Sequence, residues 1–155
     1  MTPRNLGGRA GHTILELISV VAIVLILLGS AVPSFSQMLS IYALQGASRQ
    51  VFADLQKARM AAVAQNNRYM IRFIDSHTYT VHDDSNSNGT IDAGETVTTV
   101  DLQKDWPAIT VGATVDTLTF LSDATVLAAG TATVTSASGK TRTVTVNVAG
   151  YVRVS

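Results

Sequence analysis

The residues best suited to binding chemistry form a twelve-residue segment near the middle of the chain, from Asp84 to Glu95. Oxygen-bearing side chains occupy its first, third, fifth and ninth positions, glycine the sixth, an aliphatic residue the eighth and glutamate the twelfth. This spacing is typical of calcium-binding loops, in which the last glutamate chelates the ion through both carboxylate oxygens. The predicted ligands are Asp84, Asn86, Asn88, Thr90, Asp92 and Glu95.

An ordinary turn is the alternative for the same segment. Asn-Gly-rich sequences connect strands without any metal, and no helix is predicted on either side of the loop. Only Asp84, Asp92 and Glu95 would bring charge to an ion, so a calcium site here would be of the extracellular type, with a dissociation constant on the order of millimolar. We expect Asp84 and Glu95 to face solvent in this turn.

Other residue types that support catalysis are scarce or poorly placed. Cysteine is absent, which excludes thiol catalysis and thiolate metal sites. The histidines at 12, 77 and 82 have no carboxylates at metal-ligand spacing, and no serine has the sequence context of a nucleophile. We expect His77 and His82 at the surface, beside a short strand. The sequence therefore predicts a protein that is not an enzyme and requires no cofactor, with calcium as the candidate ion.

Glu16 is the other chemically unusual residue, because it lies just inside an apolar run. From Ile14 to Phe35 the chain has 22 residues with a single charge, and roughly 20 apolar residues suffice for a helix to cross a bilayer. A carboxylate in hydrocarbon is costly unless it is paired or protonated. Arg4 and Arg9 precede the run, so the positive-inside rule keeps the amino terminus in the cytoplasm and exports the rest.

A cleaved secretory signal peptide fits the same run on composition alone. Two arginines are followed by an apolar core from Leu17 to Leu28 and by small residues at 29–31, as in such signals. A discarded signal, however, leaves Glu16 without a role. The glutamate therefore favours a helix that the mature protein retains.

The sequence around Glu16 resembles a known processing signal. Gly11 and the following HTILEL, residues 12–17, are similar to the class III signal of type IV prepilins and type II secretion pseudopilins, with His12 where phenylalanine is usual. The resemblance implies that prepilin peptidase cleaves between Gly11 and His12 and that His12 is then N-methylated. It also implies that Glu16 pairs with the cationic amino terminus of a neighbouring subunit.

The helical pattern continues beyond the apolar run. Pro33, four residues after Gly29, stands where the pilin-like families have their usual kink, and we expect it to bend the helix. Apolar and small residues at alternating spacings of four and three predict one buried face, and Asn66 with Asn67 predicts the stop. The residues of this face are Leu44, Ser48, Val51, Leu55, Ala58 and Ala62, and the charged residues off it are Arg49, Asp54, Lys57 and Arg59.

After Asn67 the hydrophobic period changes to two, which predicts strands. They are rich in valine and threonine and span 69–73, 78–81, 96–102, 109–111, 117–121, 131–135, 141–148 and 151–154. A long amphipathic helix needs a cover for its apolar face, and antiparallel sheet is the remaining material. The predicted fold is α+β and pilin-like: a long N-terminal helix, membrane-spanning in its first half and amphipathic in its second, packs on antiparallel sheet.

The head resembles the GspH/FimT group of pilin-like proteins. The similarity lies in DLQKARMAAVAQNN, residues 54–67, and in a closing Gly-x-x-Arg at Gly150 to Arg153. It implies a minor pseudopilin of the type II secretion system, which assembles into or primes a periplasmic pseudopilus; the alternative is a FimT-like minor type IV pilin in pilus assembly or DNA uptake. Some pilus members bind DNA through Gly-Arg-x-Arg. Here Tyr151 replaces the first arginine, so Arg153 alone remains for phosphate contact, which depends on clustered positive charge.

The resemblance also implies a domain organisation and partners. Residues 1–11 are the leader peptide, 12–35 the transmembrane and filament-core helix, and 36–155 the periplasmic head. The expected partners are prepilin peptidase, other pilins or pseudopilins in a complex at the filament tip, and the inner-membrane assembly platform. We expect a single-pass protein of the bacterial inner membrane with its head in the periplasm, which later enters a pseudopilus or pilus.

Overall fold

The long helix predicted from the sequence is present as α1, Ile14–Gln65, with 52 residues. The computed structural model describes residues 13–155 and the side chains in this range except those of residues 30–34. The predicted cleavage site at Gly11 and His12 lies outside the described residues, as does the side chain of Pro33. Cleavage and the bend at Gly29 and Pro33 therefore stay predictions.

The chain divides into two compact units, Met1–Gln37 and Met38–Ser155. In the first unit the large apolar side chains from Ile14 to Leu28 are between 45% and 79% exposed. Within residues 13–155, leaving out the side chains of 30–34, no helix is both long and apolar enough to cross a membrane.

The second unit is built on the carboxy-terminal part of α1. All six residues of the predicted buried face are buried, which confirms the prediction: Leu44, Ser48, Val51, Leu55, Ala58 and Ala62. Asp54, which was expected off this face, is only 6% exposed.

The helix ends where the two asparagines were predicted to stop it. Asn66 has a left-handed φ of 51°, a conformation that asparagine tolerates better than most residues. The N–H of Asn66 donates to the carbonyl of Val63 at 3.3 Å, and the N–H of Asn67 donates to that of Ala62 at 3.0 Å. These two hydrogen bonds form a Schellman motif, which satisfies the last carbonyls of the helix.

The described residues form eight strands in two antiparallel sheets. The first sheet has the order β3-β2-β1-β5 and the second the order β4-β6-β7-β8. The strands are β1 (Arg68–Phe73), β2 (Thr78–Asp84), β3 (Val97–Asp101), β4 (Ile109–Ala113), β5 (Thr117–Phe120), β6 (Gly130–Ser136), β7 (Thr141–Val146) and β8 (Val152–Val154). A single-turn helix, α2 (Leu102–Asp105), follows β3.

The predicted third strand, 96–102, was one residue too long at each end, and at its carboxy-terminal end α2 takes the extra residue. The side chain of Asp101 accepts a hydrogen bond from the backbone N–H of Gln103 at 2.8 Å, which caps α2 and starts it at Leu102.

Both sheets and α1 share one hydrophobic core. The first sheet contributes Ile71, Tyr79, Leu118 and Phe120, and the second contributes Ile109, Val111, Ala132, Val134, Val144 and Val146. Along β6, buried and half-buried residues alternate at every position, as expected of a strand with one face on the core. The predicted α+β class is confirmed.

Candidate functional site

Glu16 lies in the first turn of α1. The Oγ1 of Thr13 accepts a hydrogen bond from the backbone N–H of Glu16 at 3.2 Å. Thr-x-x-Glu at a helix start is the pattern of a capping box, and an acidic residue there interacts favourably with the helix dipole. Glu16 thus has a local role in starting the helix. The sequence reasoning missed it, although the spacing from Thr13 was the signal.

The surface around Glu16 is apolar and exposed. Ile14, Leu15 and Leu17 are 79%, 77% and 63% exposed, and exposed apolar side chains continue to Leu28. Contiguous apolar surface of this kind marks contact with another protein or with a membrane.

The predicted calcium loop connects β2 to β3 and begins at a buried carboxylate. Thr80, His82 and Asp84 lie on the same face of β2 because side chains alternate along a strand, and all three are buried, Asp84 completely. The Oδ1 of Asp84 accepts from the backbone N–H of Asn88 at 3.0 Å, and its Oδ2 from that of Gly89 at 3.1 Å. The prediction that Asp84 faces solvent is therefore wrong, because β2 directs its side chain into the loop.

The middle of the loop gathers the next predicted ligands. The Nδ2 atoms of Asn86 and Asn88 both donate to the Oδ2 of Asp92, at 2.7 and 2.6 Å. The Oδ1 of Asn88 accepts from the N–H and the hydroxyl of Thr90, both at 2.7 Å. Gly89 has φ of 78°, a conformation that glycine adopts without strain. The turn therefore brings the third, fifth, seventh and ninth positions of the template together.

Glu95 closes the loop against its beginning. Its Oε1 accepts from the N–H of Ser85 at 3.0 Å, while its Oε2 contacts the Nε2 of His82 at 2.8 Å and accepts from the N–H of Asp92 at 3.0 Å. The side chains of His82 and Glu95 are only 2% and 3% exposed, so the predictions that they face solvent are wrong. The hydrogen bond with His82, followed by that from Asp92, lowers the pKa of Glu95 from 4.5 to about 2.

Within residues 13–155, no group of three or more His, Asp or Glu side chains is arranged to hold a metal ion by itself. A cation in the loop would need amide and backbone oxygens as well. Calcium accepts such mixed oxygen ligands.

Arg153, the candidate for DNA contact, is an exposed residue of β8 opposite Thr145 of β7. The ring of Tyr151, which stands at the first arginine position of the DNA motif, lies 5.4 Å from the Cζ of Arg59. This is a cation–π distance, so the guanidinium of Arg59 is engaged with an aromatic ring. DNA binding stays a prediction.

The reason for the burial of Asp54 is a polar contact between α1 and the first sheet. The hydroxyl of Tyr79 donates to the Oδ2 of Asp54 at 2.6 Å, and the Nε2 of Gln50 donates to the same oxygen at 2.8 Å. Burial, followed by the hydrogen bond to Asp54, raises the pKa of Tyr79 above its ordinary value. Asp54 comes three residues after Val51 and four before Ala58, so its spacing could have placed it on the buried face.

Comparisons with known proteins identify related sequences and folds. A family model described as type II transport protein GspH matches residues 47–150. The fold is similar to that of the type IV minor pilin FimU of Pseudomonas aeruginosa in two crystal forms. The first has a TM-score of 0.59 at 22% identity, over 72% of this chain and 87% of FimU. The second has a TM-score of 0.56 at 23% identity, over 72% of this chain and 92% of FimU. The minor pseudopilin EpsH from the type 2 secretion system of Vibrio cholerae has a TM-score of 0.57 at 12% identity, over 72% of this chain and 95% of EpsH. No curated protein sequence matches. At these identities the solved structures show a shared fold.

Proposed function

The chain belongs to the GspH family of type II transport proteins, and from this membership we propose that it is a minor pseudopilin of a type II secretion system. In this role it assembles into, or primes, a periplasmic pseudopilus for protein secretion. A minor type IV pilin is the second candidate, because the fold is shared with FimU as well as with EpsH.

The observation that carries the proposal is the exposed apolar helix surface of the first unit. Fifteen consecutive positions, 14–28, carry no charge other than that of Glu16, and their large apolar side chains are exposed. In water such a surface is unfavourable, at about 25 cal/mol per Å² of apolar area. In the proposal, residues 12–35 lie in the inner membrane before assembly and in the filament core afterwards, while 36–155 form the periplasmic head.

Processing creates a cationic group with which Glu16 can pair between subunits. Prepilin peptidase removes residues 1–11, and the methylated amino group of His12 starts the mature chain. This group is cationic, and within a filament it lies beside Glu16 of a neighbouring subunit. A lone carboxylate in a low-dielectric core is costly, whereas opposite charges across a subunit interface offset that cost. The pairing sets the register as the inner-membrane platform adds subunits.

Substitution of Glu16 tests the proposal, because charge and helix capping can be separated at this residue. Glu16→Gln removes the charge but keeps a side chain that serves in a capping box, whereas Glu16→Ala removes both. We expect both variants to be cleaved and inserted into the membrane. Both should be missing from sheared filaments and should fail to restore secretion to a strain lacking the protein, as followed by immunoblotting and by assay of the secreted proteins.

Two further variants are the controls. Ser19→Ala changes a polar side chain on the same helix, whose hydroxyl donates to the carbonyl of Leu15 at 2.8 Å, and should assemble normally. Gly11→Leu should accumulate as uncleaved precursor. Incorporation of Glu16→Gln into filaments at the wild-type level would show that charge pairing is not needed. Loss of piliation with secretion intact in the deletion strain would favour the second candidate.

A further inference from the structure

Within residues 13–155 the fully buried carboxylate of Asp84 forms no ion pair within 4.0 Å. Arg68 lies opposite it on β1, but its guanidinium donates to the carbonyl of Ser87 at 2.9 Å. Between residues 13 and 155, the carboxylates with a basic side chain within 4.0 Å are Asp54, beside Lys57, and Glu95, whose Oε2 is hydrogen-bonded to the ring of His82. Asp84 is held by two backbone N–H groups, which stabilise a negative charge but do not neutralise it. A cation bound directly to a buried carboxylate offsets the cost of its desolvation, so this end of β2 is suited to a cation.

The side-chain oxygens at the first and third positions of the template lie next to each other. The Oδ1 of Asp84 and the Oδ1 of Asn86 both accept from the backbone N–H of Asn88, each at 3.0 Å. Two oxygens that share one donor can also face one ion.

The last position of the template is held beside the first. The carboxylate of Glu95 accepts from the N–H of Ser85, the residue after Asp84, and from the N–H of Asp92. The side chain of Glu95 therefore lies across the start of the loop, between the backbone that follows Asp84 and the backbone of Asp92. A flat hairpin turn does not require this closure.

We propose that the segment from Asp84 to Glu95 binds a calcium ion. The ligands are the side-chain oxygens of Asp84, Asn86, Asn88, Asp92 and Glu95, together with an oxygen of Thr90. An all-oxygen set with three carboxylates suits hard cations over transition metals. Calcium is favoured over magnesium, because it accepts six to eight ligands in flexible geometry, whereas magnesium demands a near-ideal octahedron.

Binding changes the loop side chains more than the backbone. The amide of Asn88 turns by half a rotation, which exchanges the Nδ2 that now faces Asp92 for an oxygen of nearly the same shape, while Asn86 keeps its Oδ1 beside that of Asp84. Glu95 turns from His82 towards the ion and chelates it through both oxygens. The connection between β2 and β3 is then fixed by one ion, which offsets most of the negative charge of the loop.

Calcium titration of the full chain in detergent micelles, after removal of divalent ions with EDTA, tests the inference. Calorimetry should show saturable binding with a dissociation constant on the order of 0.1–1 mM. The melting temperature should rise by about 5 °C at calcium tenfold above that constant, because the ion binds the folded state only. Magnesium chloride at the same concentration should produce a much smaller rise.

Variants that each remove one carboxylate distinguish calcium binding at a defined site from general screening of negative charge. Asp92→Asn, at an exposed side chain, and Glu95→Gln should each weaken calcium binding at least tenfold. The matched control is Asp83→Asn, which removes one charge from the residue next to Asp84 but outside the template. Asp83 accepts a hydrogen bond from Asn67, and its variant should bind calcium as the wild type does. If Glu95→Gln fails to fold, Asp92→Asn decides the matter.

Three results would overturn the inference. The first is the absence of both binding heat and a melting shift at calcium tenfold above the expected range of dissociation constants. The others are an equal response to magnesium and calcium binding by Asp92→Asn that is as tight as that of the wild type. Any of these would leave the segment as a hydrogen-bonded turn. The filament assays on Glu16 do not depend on this loop, so the two proposals can fail separately.

Discussion

At Tyr79, one hydroxyl joins the long helix to the first sheet, because it donates to the buried carboxylate of Asp54 at 2.6 Å. Tyr79→Phe removes this hydrogen bond and keeps the ring. A hydrogen bond to a charged group contributes about 1.5–3 kcal/mol, so the free energy of unfolding at neutral pH should fall by that amount in urea titrations. Tyr42→Phe, at a side chain that is 57% exposed, should change it little.

The same residue makes stability depend on alkaline pH. Burial, then the hydrogen bond to Asp54, raises the pKa of Tyr79 above 10.0. Above about pH 10 the unfolded chain releases this proton while the folded chain keeps it. The contribution is therefore complete below pH 10 and is lost above it, at up to about 1.4 kcal/mol per pH unit. The difference between wild-type and Tyr79→Phe stabilities should shrink by about 1 kcal/mol between pH 10 and 11; parallel curves would contradict the assignment.

Among the elements, helices and strands were predictable from local periodicity, and their partners were not. The spacing of four and three residues predicted the buried face of α1, and the period of two predicted each strand to within a few residues. The pairing of β1 with both β2 and β5, and the placement of β4 in the other sheet, join residues far apart in the chain and leave no local pattern. The burial of Asp84 was missed for the same reason, since it depends on which face of β2 is covered.

The turn between β7 and β8 depends on a glycine. Gly150 has φ of 74°, and a Cβ added there would lie 1.8 Å from the carbonyl oxygen of Ala124. Gly150→Ala should therefore cost about 1–2 kcal/mol for the left-handed backbone and about 1–3 kcal/mol more for the forced displacement. Gly139 has φ of 77° and open space around it, so Gly139→Ala should show the first cost alone. Equal losses in urea unfolding would mean that the contact with Ala124 is unimportant.

For the whole chain, the hydrophobic core belongs to the second unit. Among the side chains that the structure describes, at 13–29 and 35–155, the buried apolar residues begin at Leu44 and end at Val146, and all lie within Met38–Ser155. Deletion of residues 1–37 should therefore leave a head that unfolds cooperatively in urea and by heat. It should also stay in solution without detergent and no longer sediment with membranes, because the exposed apolar surface from Ile14 to Leu28 is gone.

A longer deletion shows whether this independence comes from the core. Removal of residues 1–48 also takes away Leu44, Ala47 and Ser48, which are 5%, 0% and 0% exposed. Burial of one leucine side chain stabilises a fold by about 1.5–3 kcal/mol, so the chain from residue 49 should unfold at clearly lower urea than the chain from residue 38. If both were equally stable, the first turns of the buried helix face would not contribute to the core. Membrane association of the chain from residue 38 would show that the apolar surface before it is not the membrane contact.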